Sequence, residues 1–163
     1  MTLNLNHLRY LQNELDERIM ANHHVTRDQT RNKRILALMV EIGELANETR
    51  TFKFWSYKQA SENDVLLEEL SDCLHFTLSL GFDLHDQTME LEFVPRLEDL
   101  SLQLIDWMAE CARLKSDFSL IQYDKVASYL GSIALELGFK ADDLAATYLK
   151  KNEINHIRQD NQY

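Results

Sequence analysis

The sequence predicts an all-α protein, a bundle of about six helices around a four-helix core. Three observations predict it. Only four glycines and one proline occur in 163 residues, too few to supply the turns of a sandwich or barrel. Apolar residues recur at spacings of three and four along most of the chain, the period of a helix face. The segments between those stretches are short and polar. No repeat, low-complexity tract or linker interrupts the pattern, so residues 1–163 are expected to form one domain.

The first helix is expected from about Leu5 to Met20, with Leu5, Leu8, Leu11, Leu15 and Ile19 on one face. His23, His24 and Val25 form a link. Thr26 and Gln29 have capping-box spacing, which starts a second helix running to about Thr49. Its apolar face is Ile35, Leu38, Ile42 and Leu45. An aromatic segment follows, Phe52-Lys53-Phe54-Trp55-Ser56-Tyr57. Ser61 and Asp64 suggest another capping box, and a third helix is expected to run from there to a C-terminal cap at Gly81. That helix is apolar on most sides, the mark of a central position in a bundle. Pro95 is expected in the first turn of a fourth helix ending near Lys115. A fifth spans about Ile121 to Leu137 and closes on Gly138. The sixth starts near Ala141.

Composition narrows the function. The formal net charge is −10, so a general nucleic-acid binder is not expected, because such a surface repels phosphate backbones. Cys73 and Cys111 lie in apolar helical patterns and read as buried thiols rather than a disulfide framework. The start, Met1 to His7, lacks a basic and an apolar targeting region. No apolar run approaches the roughly 20 residues that cross a bilayer. A cytoplasmic protein that makes no membrane contact is the expectation.

Two acidic pairs carry the chemistry. The second helix holds Glu41-Ile42-Gly43-Glu44 and the third Glu69-Leu70-Ser71-Asp72. Acid-x-x-acid places both carboxylates on one helix face. Either pair alone is more often a solvated face. Two pairs on consecutive helices, each bordering an apolar stripe, favour a common site instead. Partly buried carboxylates repel one another and resist ionising, and a hard dication with oxygen ligands resolves the conflict.

These acids resemble the metal-binding signature of the all-α nucleoside triphosphate pyrophosphohydrolases, the superfamily of MazG-like proteins, dCTP pyrophosphatases, phosphoribosyl-ATP pyrophosphatases and dimeric dUTPases. Three further segments resemble the dimeric dUTPase branch. They are the loop Arg50-Thr51-Phe52-Lys53-Phe54-Trp55-Ser56, the helix Glu69-x-x-Asp72-x-x-His75-Phe76, and the segment Lys151-Asn152-x-x-Asn155-x-x-Arg158-Gln159. Gln162 stands where that family's closing pattern has a glycine before the final Tyr163, and residues 82–140 carry no recognised motif.

The resemblance implies that Glu41, Glu44, Glu69 and Asp72 hold Mg²⁺ (Mn²⁺ as a substitute) against a triphosphate. It makes Glu41 the first choice for general base, with Glu44 as the other catalytic carboxylate; the residues themselves do not rank the two. Lys53, Lys151 and Arg158 are expected on phosphate, although two basic residues on a last helix also suit its dipole. Gln12, Trp55, His75, Phe76 and Asn155 are expected on base or sugar. For Trp55 and Phe76 the bland reading is core packing, and for His75 a packed or hydrogen-bonded ring. The implied protein is a homodimeric dUTP diphosphatase that also acts on dUDP. The same acids equally fit a pyrophosphohydrolase for another nucleotide such as dCTP. A catalytically silent nucleotide-binding module would keep them too, and a structural helical protein would carry them as surface charge.

Overall fold

The computed structural model describes residues 1–161. Gln162 and Tyr163, where the closing pattern departs from the family, lie outside the described residues. Six helices and one small sheet follow the order β1 (Thr2–Asn4), α1 (Asn6–Asn22), α2 (Arg27–Thr49), α3 (Asn63–Asp83), β2 (Glu90–Glu92), α4 (Leu100–Arg113), α5 (Leu120–Glu136) and α6 (Ala141–Asp160). The all-α class holds. No helix among the described residues is long and apolar enough to cross a membrane.

Helix α2 begins as expected. The Thr26 hydroxyl accepts from the Gln29 N–H at 3.3 Å, and the Thr26 N–H donates to Gln29 Oε1 at 2.9 Å. Three other expectations are corrected. Ser61 and Asp64 form no capping box; the Ser61 hydroxyl donates to the Glu48 carboxylate, and Glu62 occupies the N-cap without a side-chain bond. Gly81 lies inside α3, which continues to Asp83. Its value there is space, since a Cβ would stand 2.3 Å from the Tyr123 hydroxyl of α5. Pro95 lies in the loop before α4. That helix starts where Asp99 accepts the Leu102 N–H at 3.0 Å, which satisfies one of the free N–H groups of the first turn.

The antiparallel pairing of β1 with β2 has no counterpart in the sequence reading. Thr2 faces Glu92, Leu3 faces Leu91 and Asn4 faces Glu90. Leu3 and Leu91 point inward while their neighbours are exposed, the two-residue alternation of a one-sided sheet. At Gly131 of α5 an added Cβ would lie 2.2 Å from the Glu92 carbonyl oxygen, so the missing side chain lets β2 lie on α5.

Helix α3 is central, packed against α1, α2, α5 and α6, as its all-round apolar pattern predicts. Leu38, Ile42 and Leu45 of α2, Leu70, Cys73 and Leu74 of α3, Trp107 and Cys111 of α4, Ile133 of α5 and Tyr148 of α6 are buried in one cluster. Each buried leucine contributes about 1.5–3 kcal/mol over leaving it exposed. A polar clamp crosses the same bundle. Arg34 donates to Asp83 at 2.6 Å, and Arg27 bridges Asp83 at 3.0 Å and Asp16 at 3.2 Å. Asp16 also accepts from the Ser79 hydroxyl at 2.5 Å. The clamp ties α1, α2 and α3 at one end, which fixes the register in which α2 and α3 present their acids.

Candidate active site

The α2–α3 pairing brings three of the four expected acids together. Carboxylate oxygens of Glu41, Glu69 and Asp72 lie within 4.8 Å of one another, and all three side chains are half-buried. They converge because Glu41 borders the buried Leu38, Ile42 and Leu45 on α2, while Glu69 and Asp72 flank Leu70 and Cys73 on α3. Glu44 is exposed and stands at the rim, close enough for its charge to act on Glu41 and Glu69.

Burial and crowding shift these groups. Burial, then the charges of Asp72, Glu44 and Glu69, push the Glu41 carboxyl up to about 7, against the pull of Lys151. Burial, then the charges of Glu44 and Asp72, raise Glu69, again against Lys151. Burial raises Asp72, and the Lys151 ammonium opposes it. Three oxygen-only side chains that resist ionising together form the donor set a hard dication such as Mg²⁺ or Mn²⁺ takes, with no thiolate or imidazole in the group. The residues fit such an ion.

Helix α6 supplies the cations. Lys151 is buried, with Nζ 2.8 Å from Asp72 Oδ2 and 2.6 Å from Glu68 Oε1. Residues 151, 155 and 158 share one face of α6 by their spacing. Arg158 donates to Asn155 Oδ1 at 3.2 Å and lies near enough to Asp72 and Glu68 to draw both downward. Asn155 is half-buried.

Gln12 and His75 belong to a buried chain of bonds. His75 stacks on Tyr148 with ring centroids 4.0 Å apart. Its Nδ1 lies 2.7 Å from Gln12 Oε1, which also accepts from the Tyr148 hydroxyl at 2.9 Å. Gln12 Nε2 donates to Asp16 at 2.8 Å. That bond orients the amide, so the His75 Nδ1 carries the proton and Nε2 presents a lone pair. Burial, and then Lys151, push the His75 imidazole down to about 3, so the ring is neutral at physiological pH.

Phe76 is half-buried and lines a pocket of about 250 Å³ together with Asp16, Ile19, Met20 and Val25. The aromatic loop is not core. Trp55 is 64% exposed and Phe54 is 93% exposed. They meet edge to face with centroids 5.1 Å apart. Lys53 donates to Asn47. Arg50, in the left-handed region at φ 58°, staples the loop by donating to Lys58 O and Ser56 Oγ.

The structure thus gathers Glu41, Glu69, Asp72 and Lys151 around one point, with Glu44 at its rim and Arg158 nearby. It places Gln12 and His75 behind them in the core, and Lys53 and Trp55 on a projecting loop. Two participants escaped the sequence reading. Glu68 looks like a surface acid beside Glu69, and its only signal is the four-residue spacing to Asp72. Tyr148 looks like core, and its signal is the three-residue spacing to Lys151.

Compared with known protein families, the chain matches the family described as dUTPase over residues 4–163. No curated protein matches it.

Proposed function

The chain belongs to the dUTPase family and is a hydrolase of the dUTP diphosphatase type; on that premise we propose that its own substrate is dUTP, cleaved with Mg²⁺ to dUMP and pyrophosphate, with dUDP as a second substrate. One observation carries the reading. Three half-buried carboxylates on α2 and α3 and a buried lysine on α6 meet at one point.

Glu41, Glu69, Asp72 and the rim residue Glu44 would hold the metal. When bound, Mg²⁺ neutralises phosphate charge and lowers the pKa of a coordinated water. A carboxylate edge of Glu41 that the metal leaves free would take the proton from that water, which makes Glu41 the general base in this reading. Lys151 and Arg158 bind phosphate oxygens, the first as a point charge and the second as a planar fork. Phe76 carries the deoxyribose over its pocket. Asn155 and His75 read the nucleoside. Trp55 and Lys53 approach from the loop to cover the base and a phosphate. Gln12 has its amide committed to His75, Tyr148 and Asp16, and is assigned here to orienting His75 rather than to touching the base.

Residues 1–163 act as one domain in this reading, and the protein is a homodimer. The exposed Leu36 and Val40 of α2 and Leu102 and Ile105 of α4 are surface that a second copy would cover; a monomeric mass by sedimentation would discard this part. The two unpaired cysteines support a reducing, cytoplasmic setting. The net charge of −10 weighs against nucleic acid as a partner. The decisive experiment is pyrophosphate release with Mg²⁺ from dUTP, dCTP, dTTP and UTP, beside Glu41→Gln. Preference for dUTP that the variant abolishes supports the reading. Activity centred on dCTP would keep the metal site and reject the substrate, and no release at all would reject the enzyme.

A further inference from the structure

Lys151 makes two bonds of different standing. Asp72 is one of the four acids expected to hold a metal, whereas Glu68 belongs to no motif. Glu68 and Asp72 are four residues apart on α3, so both face α6. The Lys151 Nζ sits between them, 2.6 Å from Glu68 Oε1 and 2.8 Å from Asp72 Oδ2. The Lys151 side chain is 11% exposed, Asp72 17% and Glu68 54%. The ammonium therefore joins an inner carboxylate to an outer one.

A dication and an ammonium compete for the Asp72 carboxylate, because each positive charge repels the other at such separations. We propose that Glu68 is a positioning residue that gives Lys151 a second seat. When a divalent ion takes Asp72, Lys151 stays on Glu68, at the solvent side of the site where a phosphate chain arrives. The inference rests on the reading of Glu41, Glu69 and Asp72 as metal ligands. The chemistry of lysine suits the task, since an ammonium has three rotatable donors and keeps one carboxylate when it loses the other. Lys150 and Arg158 both act electrostatically on Glu68, so this outer corner already concentrates positive charge. Metal loading and phosphate capture are then linked through one side chain. The ion that neutralises the inner acids also turns Lys151 from a partner of the site into a ligand for the substrate.

The test is Mn²⁺ binding to the full chain without nucleotide, for wild type, Glu68→Gln, Lys151→Met and the double variant. Lys151→Met should bind Mn²⁺ roughly tenfold more tightly, the size of one charged hydrogen bond removed from the competition. Glu68→Gln should bind it several-fold more weakly, because Lys151 then clings to Asp72 alone. In the Lys151→Met background the Glu68→Gln effect should vanish, a non-additivity expected only of coupled residues. An equal Glu68→Gln effect in both backgrounds would reduce Glu68 to a remote negative charge and overturn the proposal. No Mn²⁺ binding by the wild type would overturn the metal-site reading and this inference with it. A readout that needs no variant is acetylation of Lys151 in the wild type, followed by mass spectrometry. Mn²⁺ should speed it several-fold, as one of two bonds is released. A rate that Mn²⁺ leaves unchanged or lowers also overturns the proposal.

Discussion

Replacing Glu41 by Gln should stabilise the protein in chelator while abolishing its activity. The folded Glu41 carboxyl sits at about 7, against an ordinary value of 4.5. The folded state therefore favours the neutral form, and ionisation works against folding. For an acid raised in this way, stability falls as pH rises from the unfolded value of 4.5 through the folded value of about 7. The full separation corresponds to about 3 kcal/mol. Because the half-buried carboxylate keeps part of its water, about 1–2 kcal/mol is the expected gain at pH 8. Gln carries no charge and keeps nearly the same shape, so the repulsion with Asp72, Glu44 and Glu69 is removed. For a chain of this length the gain raises Tm by about 3–6 °C. The assay is thermal unfolding of both proteins in chelator at pH 8 and pH 5. Most of the difference should be gone at pH 5, where the wild-type carboxyl is protonated. A variant that melts below wild type at pH 8, or an advantage that persists at pH 5, would refute the reasoning.

Mg²⁺ or Mn²⁺ should raise the Tm of the wild type and leave that of Glu41→Gln nearly unmoved, with chelator reversing the rise. Gly81→Ala should cost about 1–3 kcal/mol, because its methyl meets the buried Tyr123 hydroxyl; Tyr123→Phe in that background should recover part of the loss in a denaturant titration. Arg34→Met should destabilise by about 1–3 kcal/mol, since it removes the closer of the two arginines on buried Asp83 and leaves only Arg27, and Asp83→Asn in the same chain should restore some of it. Trp55→Ala should shift unfolding by less than about 0.5 kcal/mol, as expected for an exposed side chain, yet raise KM for dUTP; an unchanged KM would remove the aromatic loop from the site.

Much of the fold was legible because helix signals are local. The Thr26–Gln29 box and the three-and-four spacing of Leu38, Ile42 and Leu45 lie within a few turns of one another. The misreadings share a cause. Ser61 has the right spacing to cap α3 but bonds to Glu48 on another helix, and Gly81 has the right type to end α3 but serves a contact with Tyr123. Both choices are made by tertiary neighbours more than ten residues away. The β1–β2 ladder was invisible because three-residue strands leave almost no alternation to detect. In the site, Glu41, Glu69 and Asp72 could be found from their periodicity within two helices. Glu68 could not, because its role depends on where α6 lies. The tie between Gln12 and His75 was hidden for the same reason, as α1 and α3 meet only after folding.

The β1–β2 ladder also bears on the order of assembly. Thr2 pairs with Glu92, so the ladder closes across the whole of the first three helices. Chain entropy makes such a closure late, after local helices have formed. Three residues a side give it little to resist opening, and its amides should exchange with solvent far sooner than those of α3. Strand β1 also rests against α6, the helix that carries Lys151 and Arg158. Fraying at the amino end would therefore be felt first by the cations of the site and last by its carboxylates. In a partly unfolded chain the acidic half of the site would then outlast the basic half.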